Sequence, residues 1–199
     1  QGNAENPVYT IFSLWDTFRA LHPLLTIIDP KLNNDFINSL LSKYEEGGIL
    51  PKWELAANYT AEMTGYHAVS LMADAISKNA ADFDISKAKR AAIRSAIYNP
   101  DSICASPRIS NILSPISKKY KNELGFIPWD VELESVAKGL EYAYDDYCVS
   151  VIAEAAGDTA TAKEYLEKSK AYRQYFDPET RFMRGKDING KWHEPFNPR

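Results

Sequence analysis

The sequence predicts an all-α fold in which antiparallel helical hairpins form about half of an (α/α)6 toroid. Helical segments that are apolar around most of their circumference alternate along the chain with segments that are apolar on one face only. Hairpins in that order place the first kind in an inner layer and the second kind in an outer layer. A helical-repeat solenoid also consists of hairpins, but the sequence has no fixed period of roughly 30 to 40 residues, and this favours the toroid.

Apolar periodicity, capping residues and helix breakers set the expected boundaries of each element. Asp29-Pro30 is a typical helix start, and Gly47-Gly48 is a typical helix end. The tail from residue 177 to 199 shows no helical period. The expected helices cover residues 12–22, 30–47, 64–78, 86–98, 116–124, 132–156 and 159–174.

Composition excludes several classes of function. The chain has 199 residues and a net charge of −4 without any basic run, which argues against nucleic acid or an anionic membrane surface as a partner. No apolar stretch approaches the roughly 20 residues that span a bilayer. Residues 1–8 are expected to be a disordered or appended leader, and residues 1–199 as a whole a fragment of one helical-barrel domain. Cys104 and Cys148 lack metal-type spacing and do not reveal the compartment.

Every tryptophan stands beside or near an acidic residue at the approach to an inner helix. In a two-layered ring these approaches lie at the same end, so we expect the indoles and carboxylates to meet on one rim. Indoles stack on the C–H faces of sugars, and carboxylates accept hydrogen bonds from sugar hydroxyls. The pattern therefore predicts a carbohydrate cleft. Its members are Trp15 with Asp16, Trp53 with Glu54, Trp129 with Asp130, and Trp192 with Glu194.

Several of these residues also have a purely structural interpretation. Ser13-x-x-Asp16 fits a capping box, and His67 on an apolar helix is typical of a satisfied core histidine. Asp145 and Asp146 lie on the most apolar helix, where an unpaired carboxylate is costly. They therefore need donors: backbone N–H groups, tyrosine hydroxyls, an arginine such as Arg184, or a ligand. We expect one of the two to be structural and the other to lie near the cleft.

Five blocks in this order resemble glycoside hydrolase family 92, the bacterial, calcium-dependent, inverting α-mannosidases. The resemblance extends from about Tyr9 onward. The blocks are Ser13-Leu-Trp-Asp-Thr-Phe-Arg-Ala-Leu-His-Pro23, Leu50-Pro-Lys-Trp-Glu-Leu55 with Asn58-Tyr-Thr60, Gly65-Tyr-His-Ala-Val69, Leu140-Glu-Tyr-Ala-Tyr-Asp-Asp146 and Phe182-Met-Arg-Gly185.

The resemblance implies an exo-acting enzyme that removes terminal α-linked mannose from glycans, outside the cell or in the periplasm. The family joins an N-terminal β-sandwich to an (α/α)6 catalytic barrel, and this chain resembles the first half of that barrel. By resemblance, Asp16 contacts mannose in the cleavage subsite, while Trp53 and Glu54 line the cleft.

The family's general acid lies in a Glu-Gly-Asn block and its general base in an Asp-rich block before Cys-Gly-Gln. Neither block is present here. We therefore expect no catalytic residue in this chain, no hydrolysis by the chain alone, and calcium ligands that lie mainly elsewhere. Alternatives are another α/α-barrel glycosidase, of trehalase or glucosidase type, and a non-enzymatic helical binding module. A half-barrel would also expose apolar surface and is expected to self-associate.

Overall fold

The computed structural model describes residues 7–10, 12–55 and 58–198, so most of the expected leader lies outside the described residues. Short strand pairs join β1 (Glu54–Leu55) to β2 (Asn58–Tyr59) and β3 (Phe176–Asp177) to β4 (Phe182–Met183). Both pairs are antiparallel. The helices are α1 (Leu14–Thr17), α2 (Leu21–Ile28), α3 (Pro30–Gly47), α4 (Ala68–Ser77), α5 (Ile85–Ala96), α6 (Pro107–Leu113), α7 (Ser117–Leu124), α8 (Ser135–Ala155) and α9 (Thr159–Lys168), with 3-10 turns at Pro100–Ser102 and Ser169–Gln174.

The helices pack in the two layers that the sequence predicts. Helix α8 contacts α4, α5 and α9, while α4 also contacts α2 and α3. Helices α2, α4 and α8 thus form the inner layer, and α3, α5 and α9 form the outer one. Apolar side chains of α4 and α8, among them Val69, Met72, Val149 and Ile152, are completely buried between the layers. The described chain is therefore part of an α/α barrel, as predicted.

The opening helix differs from its prediction because it is broken into α1 and α2. A proline inside a continuous helix would clash with the carbonyl four residues earlier, but it fits the first turn of a new helix. Pro23 is the third residue of α2, and Ala20 before that helix has a non-helical backbone conformation. The break turns Phe18 toward α4, where its ring stacks on His67 at a centroid distance of 3.9 Å.

Other helix boundaries shift for local reasons. Helix α4 starts after the predicted position because Met63 and Gly65 have positive φ values of 73° and 81°, which a helix cannot contain. Helix α5 is capped by Asp84, whose carboxylate accepts the Lys87 N–H at 2.8 Å, and not by Ser86.

Two elements of the structure lie in stretches predicted to be irregular. Helix α6 begins at Pro107, where proline occupies the first helical position and starts the helix instead of breaking it. Residues 177–198, the described part of the tail, form no helix, and the β3–β4 pair lies at their start. Two other predictions are confirmed: Asp29 caps α3 through the Leu32 N–H at 3.1 Å, and Gly48 ends α3 with φ 82°.

Candidate functional site

Glu141, in the N-terminal half of α8, is the point on which the candidate site converges. Its Oε1 accepts hydrogen bonds from Trp15 Nε1 at 3.2 Å and from Arg19 Nη2 at 3.0 Å. Its Oε2 lies 3.2 Å from His67 Nε2. One carboxylate thus joins α1, the turn after α1 and the start of α4.

His67 is buried behind Glu141, between Phe18 and α8. Its Nδ1 lies 2.8 Å from Asp145 Oδ1, although neither ring nitrogen is aligned with its carboxylate as in a linear hydrogen bond. Burial alone would lower the pKa of His67, but Asp145 and Glu141 outweigh it and raise the pKa to about 9. The imidazole is therefore protonated at neutral pH, so it is not an ordinary neutral core histidine.

The two aspartates of α8 are both fully buried and have different partners. Asp145 Oδ2 accepts the Tyr66 backbone N–H at 2.7 Å, while its Oδ1 faces His67. Asp146 receives Lys121 Nζ at 2.7 and 2.8 Å on its two oxygens, and the Tyr66 hydroxyl at 2.6 Å. Asp146 therefore has the structural role expected of one of the pair. Asp145 lies behind His67 and is separated from solvent by it.

Trp15 and Asp16 lie at the surface of the same end. The Trp15 side chain is 36% exposed, so one part of the indole binds Glu141 and the rest is open to solvent. Asp16 is exposed and accepts a hydrogen bond from the Ser13 hydroxyl at 2.5 Å. Ser13 makes no side-chain capping bond to the α1 backbone, so the capping box considered as the alternative for Asp16 is not formed.

Trp53 and Glu54 lie next to this surface but are oriented differently. An isolated β-bridge pairs Ser13 with Trp53, and the Leu14 N–H donates to the Lys52 carbonyl at 3.0 Å. This bridge brings the second tryptophan segment alongside the first. The Glu54 carboxylate, however, is ion-paired with Lys43 on α3 and accepts a bond from Thr10. The structure thus places Trp53 beside Ser13, two residues before Trp15, and turns Glu54 toward the outer layer.

The other two tryptophans form a separate pair with the tail. The backbone N–H of Trp129 donates to the Lys186 carbonyl at 2.9 Å, and Lys186 forms a β-bridge with Trp192. The Trp129 ring packs on His193 at 4.0 Å. The backbone bridges therefore arrange the tryptophan segments in two groups, Trp15 with Trp53 and Trp129 with Trp192, where the sequence predicts one rim.

Arg184 belongs to the tail pair and does not reach Asp145 or Asp146. Its guanidinium binds Asp177 at 2.8 Å and Glu194 at 2.6 Å, and it also donates to the His193 carbonyl. The Asp130 carboxylate accepts the Ile188 N–H at 3.1 Å in the same region. Arg184, Asp130 and Glu194 thus hold the tail together.

The sequence pattern did not point to Glu141 or Arg19 as site residues, and it favoured a core role for His67 over a ligand or a base. A signal for Glu141 was present, because residues four apart on a helix lie on one face and Glu141 precedes Asp145 by four. The partners of Glu141 are more than 70 positions away in the sequence, and helical spacing cannot reveal such contacts.

Two layers of helical hairpins, with exposed Trp15 and Asp16 near the inner helix α8, define the chain as part of an α/α-barrel protein. The whole chain, residues 1–199, matches the glycosyl hydrolase family 92 catalytic domain. The chain belongs to glycoside hydrolase family 92.

Solved structures of the same family are similar to this chain. The family GH92 α-mannosidase BT3965 of Bacteroides thetaiotaomicron, solved in complex with mannoimidazole, is 40% identical with a TM-score of 0.84, and the match covers 96% of this chain and 24% of that one. The inverting mannosidase BT2199 of Bacteroides thetaiotaomicron VPI-5482 is 34% identical with a TM-score of 0.82, over 96% and 25% of the two chains.

A fungal protein is a more distant relative. An uncharacterized secreted glycosidase of Arthroderma benhamiae is 26% identical over 157 residues, or 77% of this chain and 20% of that protein. The chain thus spans about a quarter of the length of its solved relatives and a fifth of this one. Among the residues that the structure describes, no helix is long and apolar enough to cross a membrane.

Proposed function

We propose that the polypeptide containing this segment is an exo-acting inverting α-mannosidase that removes terminal α-linked mannose from glycans. Its family membership and the mannosidases among its solved relatives support this activity. The observation that carries the proposal is the Trp15 indole, which is anchored by Glu141 and partly open to solvent, and which is followed in sequence by the exposed Asp16 carboxylate. An exposed indole face suits the C–H face of a sugar ring, and an exposed carboxylate suits its hydroxyls.

Within this proposal the chain binds sugar and the general acid and base come from elsewhere in the polypeptide. Inverting hydrolysis requires a protonated carboxyl at the leaving oxygen and a carboxylate that activates water, roughly 6.5–9.5 Å apart. His67 above all, together with Trp15 and Arg19, lowers the pKa of Glu141 to about 2. A carboxylate of such low pKa is a poor proton donor and a poor base at neutral pH. Asp145 and Asp146 are both engaged within the core.

Calcium is part of the proposal through the family resemblance. Among the residues described by the structure, no three or more His, Cys, Asp and Glu side chains form a group that could hold a metal ion. The carboxylates of α8 are instead engaged by Lys121, His67 and Tyr66. Within the proposal, the calcium ion is held mainly by residues elsewhere in the polypeptide. A periplasmic or extracellular location is consistent with the secreted fungal relative.

Hydrolysis of an α-mannoside tests the proposed activity. It also tests whether the general acid and base lie outside this chain. The chain alone is expected to release no mannose from an α-mannoside, with or without calcium. A polypeptide of the length of the solved relatives that contains this segment is expected to release mannose in a calcium-dependent manner. Turnover by the isolated chain would show that the acid and base lie within it. A longer polypeptide that accepts α-glucosides and rejects α-mannosides would instead support the trehalase or glucosidase alternative.

We also propose that the isolated chain self-associates through the open side of its inner layer. Leu24, Ile27 and Ile28 on α2 are 52%, 69% and 64% exposed, and Tyr147 on α8 is 50% exposed. A mainly apolar cavity of about 520 Å³ lies at the C-terminal ends of α4 and α8. Exposed apolar side chains and an apolar cavity are typical of an interface. Light scattering is expected to show dimers or larger species at high concentration, and a monomer throughout would contradict this proposal.

A further inference from the structure

A line of polar contacts runs from the core of the protein to the surface at Trp15. Asp145 and His67 are 0% and 1% exposed, the Glu141 side chain is 21% exposed, and the Arg19 side chain is 56% exposed. Each member contacts the next, and the line ends on the two groups, Trp15 and Arg19, that face solvent. The arrangement fixes exposed side chains from within the core.

Stability alone does not account for such an arrangement. Exposed ion pairs contribute only about 0 to 1 kcal/mol, while burying charges costs several kcal/mol before their attraction is counted. The packing of α8 against α4 is achieved by apolar residues such as Val69 and Val149. The polar line therefore has a different effect: it restricts the orientation of Trp15 and Arg19.

We propose that Glu141 is a positioning residue of the glycan site, which His67 and Asp145 hold in place so that it fixes the Trp15 indole and the Arg19 guanidinium against the sugar. This inference rests on the proposed function. It adds Glu141, which does not contact the sugar itself but orients the side chains of Trp15 and Arg19. A guanidinium has five N–H donors in a fixed fork, so Arg19 can bind Glu141 and still present donors to sugar hydroxyls. It also lies over the Phe18 ring at 4.7 Å, which restrains it further.

The charge of His67 determines how firmly Glu141 is held. The charged and titratable groups that face His67 are Glu141, Asp145 and Tyr144 from α8. Arg19 lies beyond Glu141, and Lys52 and Lys118 lie beyond Asp145. The pKa of His67 is raised to about 9, from 6.5 in an unfolded chain. The ion pairs of His67 with Glu141 and Asp145 therefore contribute their full stabilisation of the folded state below about pH 6.5. That stabilisation is lost as the pH rises through 9. Loss of the imidazolium charge frees Glu141 and, with it, Trp15.

The first test follows the indole N–H resonance of Trp15 by nitrogen-15 NMR on this chain. In the wild type we expect that resonance to move with pH, with a midpoint near 9. In Glu141→Gln, which keeps the shape and one acceptor oxygen, we expect the movement at that midpoint to vanish while circular dichroism shows a folded chain. Glu154→Gln, an exposed glutamate at the far end of α8, is the matched control and is expected to titrate like the wild type. The proposal would be overturned if the chemical shift of the Trp15 indole N–H in the folded chain changed neither with pH nor on the Glu141→Gln substitution.

The second test measures steady-state kinetics on a polypeptide of the length of the solved relatives. Glu141→Gln is expected to raise KM for an α-mannoside about tenfold and to change kcat less than about twofold, because it loosens binding groups without touching the reacting atoms. An unchanged KM, or a fall in kcat alone, would contradict a positioning role. If the wild-type polypeptide hydrolyses no mannoside, the proposed function fails, and the NMR result still decides whether Glu141 positions Trp15.

Discussion

Replacing Lys121 by methionine is expected to destabilise the chain by about 3 to 5 kcal/mol, because it leaves the Asp146 carboxylate buried without its counter-ion. Both side chains are almost completely buried, at 2% and 0% exposure, and their atoms lie 2.7 Å apart. Burial alone raises the pKa of Asp146, and Lys121 and Tyr66 act against that effect. Denaturant unfolding followed by circular dichroism measures the loss.

Two further variants make this test specific. Adding Asp146→Asn to Lys121→Met removes the uncompensated charge and is expected to recover at least about 2 kcal/mol of the loss. Lys119→Met is the matched control on the same helix: Lys119 is 49% exposed, lies 4.0 Å from Glu123, and should cost less than about 0.5 kcal/mol. Equal losses for Lys119→Met and Lys121→Met would show that the buried pair is not what stabilises this junction of α7 and α8.

Replacing Gly139 by alanine is expected to destabilise the chain by about 2 to 4 kcal/mol, although alanine is the better helix former. A Cβ at this position would lie 2.0 Å from the Tyr175 hydroxyl oxygen and 2.2 Å from Tyr175 Cζ. Tyr175 cannot easily move, because it is 1% exposed and its hydroxyl accepts the Ile127 N–H at 2.7 Å. The substitution must therefore break that hydrogen bond or shift the tail away from α8.

Replacing Gly47, another helical glycine, by alanine is expected to have the opposite effect on stability. No atom lies within 4 Å of the position that its Cβ would occupy. The substitution reduces the freedom of the unfolded chain and is expected to stabilise by about 0.4 to 1 kcal/mol. Thermal unfolding of both variants should therefore give midpoints on opposite sides of the wild type. A Gly139→Ala variant as stable as Gly47→Ala would mean that Tyr175 has room to move.

The layered fold was predictable because it depends on local patterns. Whether a helix is apolar on one face or all around can be read from consecutive residues, and the pairs Asp29-Pro30 and Gly47-Gly48 mark helix ends by their backbone chemistry. Proline was harder to interpret because its effect depends on position. Pro23 and Pro107 both lie in first turns, where proline starts a helix, yet the sequence pattern predicted a helix that ends before Pro23 and no helix around Pro107.

The candidate site was predictable only in part, because its geometry depends on long-range contacts. The sequence indicated that indoles and acids would lie at one end of the inner layer, and the structure does bridge the Trp53 segment to Ser13, at the start of the Trp15 segment. It could not indicate that Glu54 would pair with Lys43 or that Arg184 would bind Asp177. Nor could it show that Glu141 is the residue on which Trp15 depends.

If the surface that carries Trp15 and Asp16 binds mannose, the affinity of mannose-like inhibitors must depend on it. Isothermal titration calorimetry measures that affinity directly. The measurement compares mannose-configured and glucose-configured imidazole inhibitors on a polypeptide of the length of the solved relatives, as wild type and as Asp16→Asn. We expect the mannose-configured compound to bind at least about tenfold more tightly, and Asp16→Asn to weaken it by about 10- to 100-fold, the effect of one hydrogen bond to a charged group. Equal binding of both compounds, or an unchanged affinity in Asp16→Asn, would contradict the account.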